Sequence, residues 1–296
     1  SEMCIRDRRM NMLTGNAEYM DVLEKSLYNG ALDGLSLSGD RFFYGNPLAS
    51  LGTHSRREWF GTACCPSNIA RLIASLGGYI YGQNNNDIYV NLFASSQTQF
   101  QLKKNIMQVE QATNYPWSGL VKFTVHIPKK EYASIALRIP GWATGKAVPG
   151  EMYSFVQDQV ELPTIKVNGQ AYAYEQNQGY AWNRREWKEG DVVEYVLPMQ
   201  VKKVVARTEV KQDKSRYALQ RGPLMYCVEG ADNNGDVWNL VAPLFASWKE
   251  EEYKVLDEHV VSLVAQLPVI KVDTAANKVE TNEKAIRAIP YYTWCN

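Results

Sequence analysis

Turn signals at regular intervals constrain the fold of this chain more than any other feature of its sequence. After Gly82, turns recur about every 8–15 residues, and the segments between them alternate apolar and polar side chains with few helical stretches. Asn168-Gly169 is the strongest kind of two-residue hairpin signal. The pattern is typical of antiparallel β-sandwiches, and we predict one or two of them. The predicted strands are residues 88–93, 121–127, 135–139, 192–197, 201–205, 218–220, 224–228 and 260–264.

Two helices are predicted before this β-rich region. The first begins after Asn16, which suits the N-cap position, and ends near Gly30. Its apolar stripe consists of Tyr19, Leu23 and Leu27. The second helix begins at Pro66, because proline fits the first helical position, and Gly77-Gly78 ends it. Its apolar face consists of Ile69, Leu72, Ile73 and Leu76.

Two adjacent cysteines, Cys64 and Cys65, stand directly before Pro66. Cys65 is therefore expected at about the N-cap, where partial positive charge lowers the pKa of a thiol. A thiolate is both a nucleophile and a metal ligand, and adjacent cysteines rarely form a disulfide with each other. Two interpretations stay open: a pair of small buried apolar residues, or a metal or nucleophile site. The Gly61-Thr62-Ala63 turn and the aromatic pair Trp59-Phe60 favour the second.

Composition narrows the classes of function. The formal net charge is zero, so the charge gives no indication of nucleic acid or an anionic membrane surface as a partner. The five cysteines are odd in number and widely spread, which is unlike a disulfide framework. Residues 1–10 are polar and charged, unlike a signal peptide, and no run of 18 apolar residues suits a membrane span. The compartment, a bacterial cytoplasm or periplasm, stays open.

Short motifs spread over residues 9–296 carry a family resemblance. They include Met12-Leu13-Thr14-Gly15, Asp21-Val22-Leu23-Glu24, Phe42-Phe43-Tyr44 with Asn46-Pro47-Leu48, Cys64-Cys65-Pro66, Arg138-Ile139-Pro140-Gly141-Trp142, Ala218-Leu219-Gln220-Arg221-Gly222-Pro223 and Ile289-Pro290-Tyr291-Tyr292. In this order they resemble glycoside hydrolase family 127, the β-L-arabinofuranosidase family. The resemblance implies the terminal helices of an (α/α)6 barrel followed by antiparallel, jelly-roll-like β-sandwich domains. A multi-domain chain that is mainly β is therefore expected.

The resemblance also implies a division of the chain. Residues 9–82 are expected to be a remnant of the catalytic barrel, residues 83–200 a β-sandwich domain, and residues 201–296 a second sandwich region that is truncated at its end. Residues 1–8 do not resemble the family's preceding helix, so we expect a non-native leader there. The open side of such a barrel is expected to make the isolated chain poorly soluble, through exposed apolar surface around Tyr19, Leu23, Leu72 and Leu76.

The chemistry that the resemblance implies is a zinc-dependent, retaining hydrolysis of β-L-arabinofuranosides with a cysteine nucleophile. In the family, one glutamate and three cysteines bind the zinc ion, and one of the thiolates attacks the sugar. By position, Cys64 corresponds to the nucleophile and a zinc ligand, and Cys65 to a second ligand. Glu24 and Tyr44 correspond to positions that line the arabinose pocket and contact its hydroxyls or orient the thiolate. From the residues alone, Glu24 could equally be an exposed carboxylate, whereas the apolar run around Tyr44 favours a core aromatic there.

Parts of the family's site have no counterpart in this sequence. The acid/base glutamate, the pocket histidines and the Glu-x-Cys pair of zinc ligands lie earlier in the family's chain than Met10. Glu2-Met3-Cys4 imitates the Glu-x-Cys pair, but it lies too close to Arg9, so we expect an accidental match. His54 is interpreted as a loop residue and Cys227 as a core residue. We therefore expect this chain to be inactive alone.

The implied partners are arabinose-containing plant glycans or glycoproteins, with no nucleic acid, no membrane and a homodimer as one option. Two other functions stay open: a carbohydrate-binding sandwich module without catalysis, and a structural zinc site in which both thiols are ligands. His126 and His259 are interpreted as structural or exposed. Four tryptophans suit either sugar stacking or anchoring in a core, namely Trp142, Trp182, Trp187 and Trp238.

Overall fold

The structure is a computed structural model of the 296-residue chain, and it describes residues 2–45, 47–156, 160–235, 237–273 and 277–295. Asn46, which belongs to one of the motifs above, lies outside these ranges. The N-terminal part forms the helices α1 (Glu2–Thr14), α2 (Glu18–Ser26) and α3 (Cys64–Ser75) and the short α4 (Gly77–Ile80). No helix in the described ranges is long and apolar enough to cross a membrane.

Helix α2 begins one residue later than predicted and continues further. Ala17 is its N-cap, and Asn16 caps it from the preceding position, because Asn16 Oδ1 accepts a hydrogen bond of 3.0 Å from the backbone N–H of Glu18. The helical path does not end near Gly30. A π-helical turn (Leu27–Ala31) and a 3-10 turn (Leu32–Gly34) extend it.

Residues 2–8 form the first half of α1. Within them, Cys4 and Asp7 are each 1% exposed, and Cys4 packs in an apolar cluster with Met20 and Leu23 of α2. The N-terminal residues are therefore part of the folded structure. Their assignment as a non-native leader stays a prediction.

Strands account for more than half of the described residues after Ile80. Each predicted strand overlaps an observed one, although β17 extends well beyond its prediction. The strands are β1 (Tyr81–Asn84), β2 (Asp87–Val90), β3 (Ser96–Gln101), β4 (Ile106–Thr113), β5 (Leu120–His126), β6 (Glu131–Arg138), β7 (Tyr153–Phe155), β8 (Thr164–Val167), β9 (Gln170–Tyr172), β10 (Glu175–Asn177), β11 (Tyr180–Trp187), β12 (Val192–Val196), β13 (Val201–Ala206), β14 (Ala218–Arg221), β15 (Leu224–Val228), β16 (Lys249–Val255), β17 (Glu258–Asp273) and β18 (Lys278–Pro290).

Asn168 and Gly169 form the tight turn between β8 and β9, as predicted. Their φ angles are 51° and 79°, the positive values that both central positions of a type I′ turn require. Val167 pairs with Gln170 directly across this turn. The turn residues therefore set the register of the hairpin.

Two sheets share one buried core and form a β-sandwich. One sheet has the strand order β1-β2-β6-β11-β10, in which β2 and β6 run parallel, and the other has the order β3-β4-β5-β12-β8-β9. Along β5, alternation directs Val121, Phe123 and Val125 into the core, where each is fully buried. Trp187 of β11 is also fully buried. This sandwich contains most strands of residues 83–200.

The remaining strands form one seven-stranded antiparallel sheet with the order β16-β17-β18-β15-β14-β13-β7. A second sandwich region was predicted for residues 201–296. In the described residues, the strands of this part belong to a single sheet. Its last strand, β7, precedes residue 200 and pairs with β13 through Phe155 opposite Val204. The predicted domain boundary is therefore crossed by a sheet.

The mainly β architecture, with antiparallel sheets and few helices, is confirmed. The (α/α)6 barrel and the jelly-roll topology stay expectations from the resemblance.

The apolar surface that was expected to be exposed around Leu23 and Leu72 is buried. They are 1% and 2% exposed, because both pack in the cluster that α1, α2 and α3 share. Tyr19 and Leu76 are half-buried. Exposed apolar side chains lie instead in the segment before α3, at Leu48, Leu51 and Trp59.

Candidate active site

The cysteine pair occupies the first turn of α3. The helix begins at Cys64 with Ala63 as its N-cap, so Cys65 lies two positions further into the helix than predicted and Pro66 is the third helical residue. Both thiols lie at the positive end of the helix dipole. Cys64 is exposed and Cys65 is half-buried, so the alternative of two buried apolar residues is wrong.

The hydroxyl of Tyr44 contacts the thiol of Cys64. Tyr44 Oη and Cys64 Sγ are 3.3 Å apart, and the Sγ atoms of Cys64 and Cys65 are 3.8 Å apart. The hydrogen bond with Tyr44, followed by the contact with Cys65, lowers the pKa of Cys64. Burial raises the pKa of Cys65, and the hydrogen bond with Cys64 raises the pKa of Tyr44. Cys64 therefore ionises first, with Tyr44 as the donor to its thiolate.

Residues 35–62, which we call the Tyr44 loop, carry this hydroxyl to the cysteine pair. At the base of the loop, backbone hydrogen bonds of 2.7 and 2.9 Å join Phe42 and Arg57 in both directions. The ring of Phe60 meets the ring of Tyr44 edge-on, with centroids 5.4 Å apart. Tyr44 is 50% exposed, so the alternative of a core aromatic is wrong.

The structure places Glu24 in a buried network. Glu24 Oε1 accepts hydrogen bonds from Arg138 at 2.5 Å and from Tyr115 at 2.7 Å, and Oε2 accepts one from Trp142 Nε1 at 3.3 Å. Glu24 is 1% exposed, which excludes the alternative of an exposed carboxylate. Among the described residues, these hydrogen bonds lead into the sandwich and none reaches Cys64. The two predicted substrate-binding residues, Glu24 and Tyr44, are therefore not brought together.

Arg138 is the centre of this network, and the sequence analysis did not single it out. It is fully buried and pairs with Asp21 at 2.7 Å as well as with Glu24. Burial raises the pKa of Asp21 to about 6 and lowers the pKa of Lys25 to about 8. The only sequence signal for Arg138 was its place in the Arg138-Ile139-Pro140-Gly141-Trp142 motif, since its partner Asp21 is 117 residues away.

A cavity of about 290 Å³ lies beside this network. Its lining includes Asp21, Lys25, Trp142 and Gln220 but neither cysteine of the pair. Lys25 Nζ donates to the carbonyl of Ala147 at 2.6 Å and to Gln220 Oε1 at 2.8 Å. The half-buried cation that faces the cavity is thus already bound by the protein, and the cavity is separate from the thiols.

The fit to zinc is incomplete in the described residues. Two thiols 3.8 Å apart suit zinc, which prefers thiolate ligands, but a structural site needs four ligands and a catalytic site three. No group of three or more His, Cys, Asp or Glu side chains that could hold a metal occurs in the described ranges. Cys4 Sγ lies 3.9 Å from the buried carbonyl of Leu23, and Glu2 pairs with Arg71 at 3.1 Å. Neither residue completes a set of ligands with Cys64 and Cys65.

Other residues that the sequence raised as candidates take structural or surface positions. His54 Nδ1 lies 3.0 Å from Ser50 Oγ within the Tyr44 loop, and His126 Nδ1 lies 2.8 Å from Glu189 on the surface. Cys227 is half-buried on β15, and burial raises the pKa of its thiol far above its usual range. Three of the four tryptophans are core residues, namely Trp142, Trp182 and Trp187, whereas Trp238 is exposed.

Family models match successive parts of the chain. Residues 1–78 match the GH127 catalytic domain of β-L-arabinofuranosidases, residues 87–199 match the GH127 middle domain, and residues 201–296 match the C-terminal domain of glycoside hydrolase family 127. The first match includes residues 1–8. The three matches together leave only short connecting segments of the chain uncovered.

Individual relatives agree with these models. A non-reducing end β-L-arabinofuranosidase of Bifidobacterium longum subsp. longum is 32% identical over 98% of this chain and 45% of its own length. The crystal structure of a GH127 β-L-arabinofuranosidase from Geobacillus stearothermophilus T6 superposes with a TM-score of 0.87 at 34% identity, over 99% of this chain and 47% of that one. A structure of a GH127 β-arabinofuranosidase gives a TM-score of 0.95 at 38% identity, over 99% and 46%.

The chain thus spans about half the length of the relatives that it matches. Its fold superposes on the structures of these relatives, and the three family models match its successive parts. This chain belongs to glycoside hydrolase family 127.

Proposed function

We propose that this chain supplies the nucleophile of a retaining β-L-arabinofuranosidase, with Cys64 as the attacking residue. The observation that carries the proposal is the contact between Cys64 and Tyr44 at the start of α3, where Sγ and Oη are 3.3 Å apart. A helix N-terminus and a hydroxyl donor both favour the thiolate, which is the nucleophilic form of cysteine. The names of the relatives indicate the sugar.

In the first step, the Cys64 thiolate attacks the anomeric carbon of the arabinofuranoside. A C–S bond forms, the glycosidic C–O bond breaks, and an acid donates a proton to the departing oxygen. In the second step, water attacks the same carbon, its proton passes to the conjugate base of that acid, and the thiolate leaves. Tyr44 stabilises the thiolate before the first step and after the second. Configuration is retained because the carbon is inverted twice.

Zinc is proposed as the metal of the complete site, with Cys64 and Cys65 as two of its ligands. When bound, it would keep the thiols deprotonated at neutral pH. Because the described residues do not complete its coordination, the steps above use only the thiolate and a proton donor. The substrates that we propose are arabinose-containing plant glycans or glycoproteins.

Hydrolysis of an aryl β-L-arabinofuranoside tests the nucleophile. We expect no turnover by the 296-residue chain alone, and turnover when it is fused to the part of the Bifidobacterium relative that it does not match. Cys64→Ala should abolish that turnover, whereas Cys227→Ala, which alters a half-buried thiol on β15, should preserve it. A fusion that stays active with Cys64→Ala would refute the nucleophile, and an active 296-residue chain would refute the need for a further part.

A cyclophellitol-type arabinose analogue tests the same residue by covalent labelling. Mass spectrometry of the fusion should locate the label on the peptide that contains Cys64. Zinc content under reducing conditions is measured in parallel on the fusion and on the chain alone. A fusion that binds zinc fully but is not labelled would support a structural zinc site. Glycan affinity that persists without both thiols, in a fusion without hydrolysis, would support a binding module.

A further inference from the structure

Residues 291–295, which we call the C-terminal segment, lie against the Tyr44 loop. Tyr291 Oη donates a hydrogen bond of 2.9 Å to the carbonyl of Pro47, and Cys295 Sγ lies 3.2 Å from the carbonyl of His54. Pro47 and His54 flank the middle of the loop. The last described residues of the seven-stranded sheet region therefore contact the loop that carries Tyr44.

Phe43, the neighbour of Tyr44 in the chain, is enclosed by this contact. The ring of Trp294 stacks on the ring of Phe43 at 5.1 Å with an angle of 18° between the planes, and the guanidinium of Arg56 lies 4.3 Å from the centroid of the same ring. Phe43 is 5% exposed, whereas Tyr44 is 50% exposed. The Cα atoms of consecutive residues lie only about 3.8 Å apart across a trans peptide bond. Anchoring Phe43 inward thus restricts where Tyr44 can lie.

Arg56, a residue of the Tyr44 loop, joins this loop to the C-terminal segment and to Asp33. Its guanidinium is buried and donates to the carbonyls of Trp294 at 2.7 Å, of Cys295 at 2.9 Å and of Asp33 at 3.0 Å. Asp33 Oδ1 in turn accepts a hydrogen bond of 2.5 Å from Trp294 Nε1. A buried guanidinium with these partners cannot move without leaving polar groups unpaired.

We propose that the C-terminal segment positions Tyr44 against Cys64, with Trp294 as a positioning residue that acts through Phe43. The role of the Tyr44–Cys64 contact in catalysis rests on the function proposed above. The contacts between the C-terminal segment and the Tyr44 loop do not depend on it. A segment in the family's C-terminal domain thereby controls a side chain of its catalytic domain. The distance between Tyr44 Oη and Cys64 Sγ is the quantity that this control fixes.

Fluorine NMR of the chain labelled with fluorotyrosine, in zinc-free reducing buffer, measures this contact directly. The signal that disappears in Tyr44→Phe identifies Tyr44 among the 18 tyrosines. The chemical shift of the Tyr44 signal in Cys64→Ala gives the reference position for a Tyr44 that has lost its contact with the thiol. In Trp294→Ala we expect the Tyr44 signal to move toward that position. We also expect the amides of Phe42 and Arg57 to exchange about tenfold faster, because local opening of the loop becomes easier.

Conservative variants separate positioning from a general role in folding. Trp294→Phe keeps an aromatic ring on Phe43 and should leave the Tyr44 signal near its original position. Arg56→Lys keeps a cation but loses the planar fork, so it should move the signal partway even if Trp294→Ala does not fold. Trp248→Ala is the matched control. Trp248 packs against the apolar cluster of the seven-stranded sheet, and its indole N–H donates to Tyr217 rather than to the Tyr44 loop.

An unmoved Tyr44 signal in folded Trp294→Ala would overturn the proposal, as would an unmoved signal in Arg56→Lys. Equal displacement by Trp294→Phe and Trp294→Ala would also overturn it, because the stacked ring would then not be the positioning contact. None of these measurements uses a sugar. Failure of the proposed hydrolysis would therefore leave their outcome unchanged, and the two proposals can fail separately.

Discussion

Glu24 and Cys64 were both assigned to one site by sequence, and the structure gives them opposite surroundings. Glu24 is 1% exposed and accepts three hydrogen bonds, including one from a fully buried arginine. Cys64 is exposed and has one hydroxyl and one thiol as neighbours. A buried carboxylate whose two oxygens both accept hydrogen bonds stabilises the fold, whereas an exposed thiolate with few hydrogen bonds is free to react. Four substitutions test this contrast.

The largest effect is expected from Arg138→Ala. Removing the guanidinium leaves Asp21 and Glu24 without their cation in a buried site, which should lower the free energy of unfolding by about 3–5 kcal/mol. Urea denaturation measures the loss. Arg184→Ala is the control, since its pair with Glu175 is largely exposed and should contribute less than about 1 kcal/mol. Similar losses in both variants would remove the distinction between the network and the surface.

The pH dependence of Asp21 should produce the next largest effect. Burial raises its pKa in the folded state to about 6, above its ordinary value of 3.8, so the folded chain binds more protons than the unfolded chain between these pH values. Stability from this group is therefore complete below pH 4 and is lost as pH rises through 6. Relative to Asp21→Asn, the unmodified chain should lose about 3 kcal/mol over this range in denaturation experiments. A constant difference between the two would show that Asp21 is ionised throughout.

Glu24→Gln should have a smaller effect on stability and none on the thiols. The amide keeps the shape and part of the hydrogen bonding while Asp21 remains to pair with Arg138, so we expect a loss of about 1–2 kcal/mol. Alkylation of Cys64, followed by mass spectrometry of its peptide, should proceed at an unchanged rate. A changed rate would connect Glu24 to the cysteine pair and break the contrast between the two regions.

Tyr44→Phe should give the reverse outcome, with the smallest change in stability. The hydroxyl is half-exposed, so the free energy of unfolding should change by less than about 0.5 kcal/mol. Loss of its hydrogen bond raises the pKa of Cys64, so alkylation of Cys64 near neutral pH should become roughly two- to fivefold slower. The unmodified chain, alkylated in parallel, serves as the reference. An unchanged rate at Cys64 would mean that the helix start alone activates the thiol.

Local signals in the sequence were sufficient for most of the fold. The Asn168-Gly169 turn and the alternation along β5 depend on neighbouring residues only, and both are confirmed. How the strands group into sheets depends on contacts between distant segments. The pairing of β7 with β13, for example, joins residues about fifty positions apart, and no local pattern indicates it.

The candidate site shows the same limit. The cysteine pair at the start of a helix was predictable, because proline, helical periodicity and the two thiols are adjacent in sequence. The burial of Glu24 was not, because its partner Arg138 is 114 residues away and a carboxylate on a helix is usually exposed. The stacking of Trp294 on Phe43 likewise joins the two ends of the chain.

Strand β7 has a consequence for how this protein could be divided. It completes the edge of the seven-stranded sheet by pairing with β13, although it belongs to the part of the chain that forms the sandwich. Proteolysis near residue 200, or expression of the two parts from separate genes, would remove β7 from that edge. Strand β13 would then have unpaired backbone groups, which can pair with other chains. The middle and C-terminal domains of this family member should therefore be inherited, exchanged and produced together.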